Sequence, residues 1–197
     1  MSIFTETLVD PDDYSGVLVG GRFLKYGTAP ALRLAKLSDS GVLDATFHSS
    51  ATGFNGRVDA IVNDGTHAYV GGIFTAWRGS AVGNFAKIAL GNGALAAGGF
   101  TQPAFNGGIR SLLLANGGTQ ILVGGLFTSV ANESHSRLAL ITKATGAVVS
   151  EFNNDLGFNG SVLALASINS GSTALVGGEF SAFEGTAASR LARFDSS

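Results

Sequence analysis

Between Arg57 and Asn63 the chain reads RVDAIVN, in which apolar Val58, Ala60 and Val62 recur at every second position. That period puts them on one face of an extended segment and predicts a β-strand. Asp64-Gly65 comes next, a hairpin signal, and HAYVGGIF is the expected second strand. VGNFAKIAL is a third apolar segment, Asn92-Gly93 a turn, and ALAAGGF a fourth. No segment sustains a helical period.

The pattern recurs. Val-Gly-Gly-x-Phe begins at Val19, Val70, Val123 and Val176, at intervals of 51, 53 and 53 residues. Phe-Asn-Gly occurs in the same phase at Phe54, Phe105 and Phe158, and a third motif at Arg33 (RLAKL), Asn84 (NFAKI), Arg137 (RLALI) and Arg190 (RLARF). A period near 50 points to a propeller, a solenoid or an array. Four strands of about 5–6 residues with short turns fill such a period, and that is one propeller blade. The expectation is an all-β, four-bladed β-propeller-like domain over residues 1–197. Its blades fall at approximately 1–53, 54–104, 105–157 and 158–197, the last incomplete.

Within each copy, Val19 and Phe23, and likewise Phe74, Phe127 and Phe180 with their valines, share a strand face and would fill the space between blades. The pairs Gly20-Gly21, Gly71-Gly72, Gly124-Gly125 and Gly177-Gly178 carry no side chain, so a neighbouring sheet can approach or the strand can bulge. Ala35, Ala86, Ala139 and Ala192 of the third motif are small in keeping with the same contact. The variable position, Arg22, Ile73, Leu126 or Glu179, is expected to point elsewhere.

Composition narrows the function. Charged residues make up 13% of the chain against 45% hydrophobic, an apolar balance that suits a surface covered by a partner. Net charge is −2 with no basic run, which argues against nucleic acid. Cysteine is absent, so disulfides and thiolate metal sites are excluded. No apolar run approaches the ~20 residues of a membrane-spanning helix. The opening MSIFTETLVDPDD has no basic n-region and does not read as a signal peptide.

The pattern VGGxF … RLAxL … GxLDxxF … GFNGxV … DG resembles the delta-sixty class of β-propeller repeats over nearly the whole chain. The best copy is Arg33 to Val62, with GVLDATF at Gly41 and GFNGRV at Gly53. The resemblance implies a propeller of the kind found in bacterial surface proteins and phage structural proteins, and implies no catalytic residues. Asp44 of GVLDATF has no acidic equivalent in ALAAGGF or AVVSEF.

Candidate chemistry is sparse. His48, His67 and His135 lie near predicted turns without zinc-ligand spacing, and are expected in exposed loops. Glu6, Asp10, Asp12 and Asp13 read as a solvated acidic turn, lacking the alternation of a calcium loop. No Gly-x-Ser-x-Gly elbow or phosphate loop appears. Arg33, Arg137 and Arg190 either line a face that binds an anion or acidic sugar, or bond backbone carbonyls between blades. The ring series three residues past the motif Phe, Tyr26, Trp77 and Phe183 (Val130 in the third copy), with Arg78 beside Trp77, either stacks on a sugar or protein partner or caps the core under a loop.

The resulting expectation is a non-enzymatic structural or adhesion protein without cofactor or metal. A phage virion component fits first (tail, fibre or capsid surface), at the virion or an extracellular surface, with protein partners or self-association. A secreted sugar-binding propeller is the alternative, with a surface glycan as ligand, and a glycoside-acting enzyme a distant third. The outer edge of the final RLARF strand is expected to be covered, by Ser2–Val9 or by another chain.

Overall fold

The computed structural model describes residues 3–8, 16–48, 52–152, 157–168 and 173–195. Among them are four antiparallel three-stranded sheets, one per copy, each with its second strand in the middle. The first sheet comprises Ile3–Leu8, Val17–Gly21 and Leu34–Leu37; the second, Arg57–Asn63, His67–Ile73 and Phe85–Ala89. The third comprises Ile109–Ala115, Gln120–Gly125 and Leu138–Thr142; the fourth, Val162–Ile168, Thr173–Gly178 and Leu191–Asp195. The chain divides into two compact units, Met1–Ala97 with the first two sheets and Gly98–Ser197 with the last two.

Register explains the motifs. In every sheet the motif Val lies opposite the motif Ala: Val19 and Ala35, Val70 and Ala86, Val123 and Ala139, Val176 and Ala192. The motif phenylalanines are buried in all four copies, whereas Arg22, Ile73, Leu126 and Glu179 are exposed.

The glycine pair has two separate duties. Each first strand skips one residue opposite it: Phe4, Asp59, Arg110 or Leu163 is the extra residue of a β-bulge. The bulge brings the first strand's backbone against the second glycine. A Cβ on Gly72 would run into the carbonyl oxygen of Arg57, and one on Gly178 into that of Ser161. In the third sheet the first glycine serves the neighbouring sheet instead. A Cβ on Gly124 would stand 2.5 Å from Val162 Cγ1, in the fourth sheet.

The Phe-Asn-Gly motif joins the other end of the same strand. Phe54, Phe105 and Phe158 are buried against the motif Phe of their own sheet, with ring centroids 4.2, 4.8 and 4.2 Å from Phe74, Phe127 and Phe180. The asparagine clamps the two residues just past that phenylalanine. Asn55 Oδ1 accepts from Thr75 N and Ala76 N at 2.9 Å each, while its Nδ2 donates to Thr75 Oγ1 at 2.7 Å. Asn106 and Asn159 repeat all three bonds on Thr128-Ser129 and Ser181-Ala182.

Three expectations change. The fourth strand of a copy shrinks to a single bridge, Leu37–Leu43, Ile88–Leu95 or Ile141–Val148, because glycines or a turn come at once after it. Ahead of each third strand lies an unanticipated two-residue hairpin, such as Ala76–Trp77 with Ser80–Ala81. Its loop residues Arg78-Gly79, Ala131-Asn132 and Glu184-Gly185 all have positive φ, the turn that matches strand twist. Finally, Ile3–Leu8 pairs with Val17–Gly21 and completes the first sheet. In the fourth sheet Leu191–Asp195 pairs with Thr173–Gly178 and takes an edge position.

Candidate functional site

The repeated arginines do not sit within strands. Arg33, Arg137 and Arg190, with Asn84 in the second copy, are left-handed, with φ of 68°, 69°, 63° and 65°. Each is the residue just before the third strand, where its N–H donates to the motif Phe carbonyl and its own carbonyl accepts from the second glycine. Asparagine tolerates this conformation better than most residues, which accounts for Asn84. Arg33 Nη1 donates to Phe54 O at 2.6 Å, tying the first copy to the second, and Arg137 Nη1 reaches Phe127 O at 3.4 Å. Arg190 is exposed.

The ring series is held inward. Trp77 is only 2% exposed, and its Nε1 donates to Gly93 O at 2.9 Å. Tyr26 OH donates to Gly41 O, at the equivalent turn, at 2.7 Å. Phe183 is half-buried, its ring 4.8 Å from Phe158. Of the two readings open for Trp77, capping the core is the one the geometry matches, because no ring face is open to a sugar. Arg78 lies over that indole at 4.9 Å, donates from Nη1 to Asn92 O at 3.0 Å and bonds Phe47 O as well.

Around this pair the first unit gathers its charges. Lys36 Nζ pairs with Asp44 at 2.8 Å and donates to Leu90 O at 3.0 Å, so it links both sheets. Burial alone would raise the Asp44 pKa, but Lys36 and the N–H groups of Phe47 and Thr46 hold it below its usual value. His48 Nε2 accepts from Lys36 N at 3.0 Å. Burial foremost, then the Arg78 charge, lowers the His48 pKa to about 4, with Asp44 opposing. At the hairpin before Tyr69, Asp64 accepts from His67 N, Thr66 N and Oγ1, and Tyr69 OH. Those bonds outweigh burial and hold its carboxyl well below the usual range.

His135 departs furthest from expectation. It is fully buried, at the repeat position that Ala31 and Val82 fill with small apolar groups. All three donate their backbone N–H to the residue next after the motif Phe, which is Leu24, Thr75 or Thr128. Neither ring nitrogen has a hydrogen-bond partner, and Nε2 lies 3.7 Å from Glu133 Oε2. Glu133 in turn lines a cavity of about 580 Å³ in the second unit. Its walls include Pro103, Ala147 and Val148, and its polar lining includes Thr101, Asn132 and Thr145. Among the described residues no three His, Asp or Glu side chains converge on a metal position. The acidic turn at Asp10, Asp12 and Asp13 lies outside the described residues.

Sequence patterning alone misses the clamping asparagines and the left-handed positions. A signal for the first is present, since Thr75, Thr128 and Ser181 come directly after the motif Phe wherever Phe-Asn-Gly precedes the sheet.

A family model described as "Domain of unknown function (DUF5122) beta-propeller" matches residues 17–47, from the second strand of the first sheet to Phe47. No curated protein matches the chain. The match and the nearly all-β architecture support a β-propeller repeat protein, a class suited to protein binding or a structural role.

Proposed function

We propose that the four sheets are blades of one propeller-like module, and that the chain is a non-enzymatic assembly subunit of a phage particle: a tail, fibre or capsid-surface protein. The observation that carries the assembly reading is exposed apolar surface on the fourth sheet. Leu163 is 43% and Leu191 63% exposed. The first glycine of its pair is empty as well: a Cβ on Gly177 would meet nothing closer than 3.9 Å, where Gly124 receives Val162. Exposed leucines beside an unfilled glycine favour another β-sheet as their occupant, and a second copy of the chain carries such sheets. The resemblance to phage and surface propellers supports the particle. The sugar-binding alternative loses its leading residue, since Trp77 is buried.

Sedimentation over a concentration series tests self-association. The intact chain should form oligomers, and Leu191→Glu should dissociate them without unfolding. A chain that stays monomeric at high concentration overturns this reading. Mass spectrometry of purified particles from the producing culture tests the virion assignment, which fails if the chain is absent from them.

A further inference from the structure

We infer that the cavity of the second unit is a binding site for a guanidinium group, presented as an arginine side chain by a partner protein. This goes beyond the assembly reading and does not depend on it.

The second and third sheets differ at one hairpin. In the second, the hairpin loop carries Arg78 with φ 48°, and its N–H donates to Gly53 O. Its guanidinium reaches the turn at Asn92-Gly93 and bonds the Asn92 carbonyl. In the third, the same place in the loop belongs to Ala131, with φ 50° and its N–H donating to Ala104 O. The corresponding turn is Thr145-Gly146. Alanine cannot span to it, and the ring that ties hairpin to turn, Trp77 in the second sheet, is here Val130. Between this hairpin and this turn lies the cavity.

The lining has changed sign to match. Val130 pairs with Glu133, where Trp77 pairs with Ser80 and Phe183 with Thr186. The third hairpin has therefore lost a cation and gained a carboxylate, which lines the cavity. Behind the carboxylate stands buried His135, whose two ring nitrogens lack hydrogen-bond partners. A carboxylate accepts two parallel N–H bonds, and the group that matches Glu133 at the wall of this cavity is a planar cation rich in N–H donors. An aliphatic stem suits Pro103, Ala147 and Val148, as it suits many arginine contacts. An anion would meet Glu133 with no cation among the lining residues.

The test is a titration of the full-length chain with N-acetyl-arginine methylamide, monitored by amide resonances. Its neutral isostere, N-acetyl-citrulline methylamide, is the control. Saturable shifts are expected at Ala131–Glu133 and Thr145–Val148, with the citrulline compound at least tenfold weaker. Glu133→Gln should weaken the arginine compound about tenfold; the side chain is half exposed, so the fold tolerates the change. Ala131→Arg should occupy the site from within the chain and abolish binding. If that variant does not fold, Glu133→Gln decides alone. Equal binding of the two compounds, unchanged binding in Glu133→Gln or in folded Ala131→Arg, or no saturable shift at these residues up to tens of millimolar overturns the inference.

Discussion

Val162 of the fourth sheet places its Cγ1 2.5 Å from the point where a Cβ on Gly124 of the third would stand. Gly124→Ala must therefore displace Val162, while Gly72→Ala must displace backbone, the carbonyl of Arg57. A side chain yields more readily than a strand. Gly124→Ala should cost about 1–3 kcal/mol, and Gly72→Ala more than that. Chemical denaturation of the two variants measures both, and the reverse ranking would refute the division of labour within the glycine pair.

Asn106 makes three hydrogen bonds to Thr128 and Ser129 from an exposed position. Asn106→Ala should lose about 1–2 kcal/mol, since each bond competes with water. Asn106→Asp keeps the acceptor and loses one donor, so it should retain most of the stability at neutral pH. Equal losses in the two variants would show that acceptance by Oδ1 is not what matters.

His48 makes stability depend on pH. Its folded pKa is about 4 and its ordinary value 6.5, so between those values the unfolded chain binds a proton that the folded chain does not. Stability should fall as pH drops through that window and level off below it. The half-buried ring is partly screened, so the loss should be on the order of 1–2 kcal/mol. Asp44 and Asp64, both held low, add a further loss as they protonate at lower pH. Thermal melts from pH 7 to 4 should show a steeper decline in the native chain than in His48→Gln. Parallel declines would remove His48 as the cause.

Trp77 is the sole tryptophan, so its fluorescence reports one site. Emission should lie to the blue of free indole and resist acrylamide quenching. Trp77→Phe should cost about 1–2 kcal/mol by removing the bond to Gly93 O. Quenching as efficient as that of free indole would contradict the buried ring.

The strands, their antiparallel meander and the buried Val, Phe and Ala positions are legible in the sequence because period-two patterning and close repetition both record burial. The features that stay hidden are local and backbone-driven. The left-handed residue ahead of each third strand hides behind arginine, which reads as a charge before it reads as a turn. The paired positive-φ loops at Arg78-Gly79 and Ala131-Asn132 break strands that hydropathy runs together. His135 reads as a surface residue because it lies near a turn, yet proximity to a turn says nothing about which way a side chain faces. The cavity depends on an absence, Val130 and Ala131 where the second copy has Trp77 and Arg78, and no pattern of hydropathy records what a missing side chain leaves behind.

The four exposed positions inside VGGxF, Arg22, Ile73, Leu126 and Glu179, occupy the same place at the end of four otherwise matching strands. Their neighbours, the buried motif phenylalanine and the second glycine, tolerate little change, whereas these four positions already differ from copy to copy. A lineage can therefore rewrite this row, one residue per repeat, and alter the charge and stickiness of the surface without disturbing the scaffold beneath. The present set of one cation, one anion and two aliphatics is a choice the architecture leaves open, so selection for a new partner could act there first.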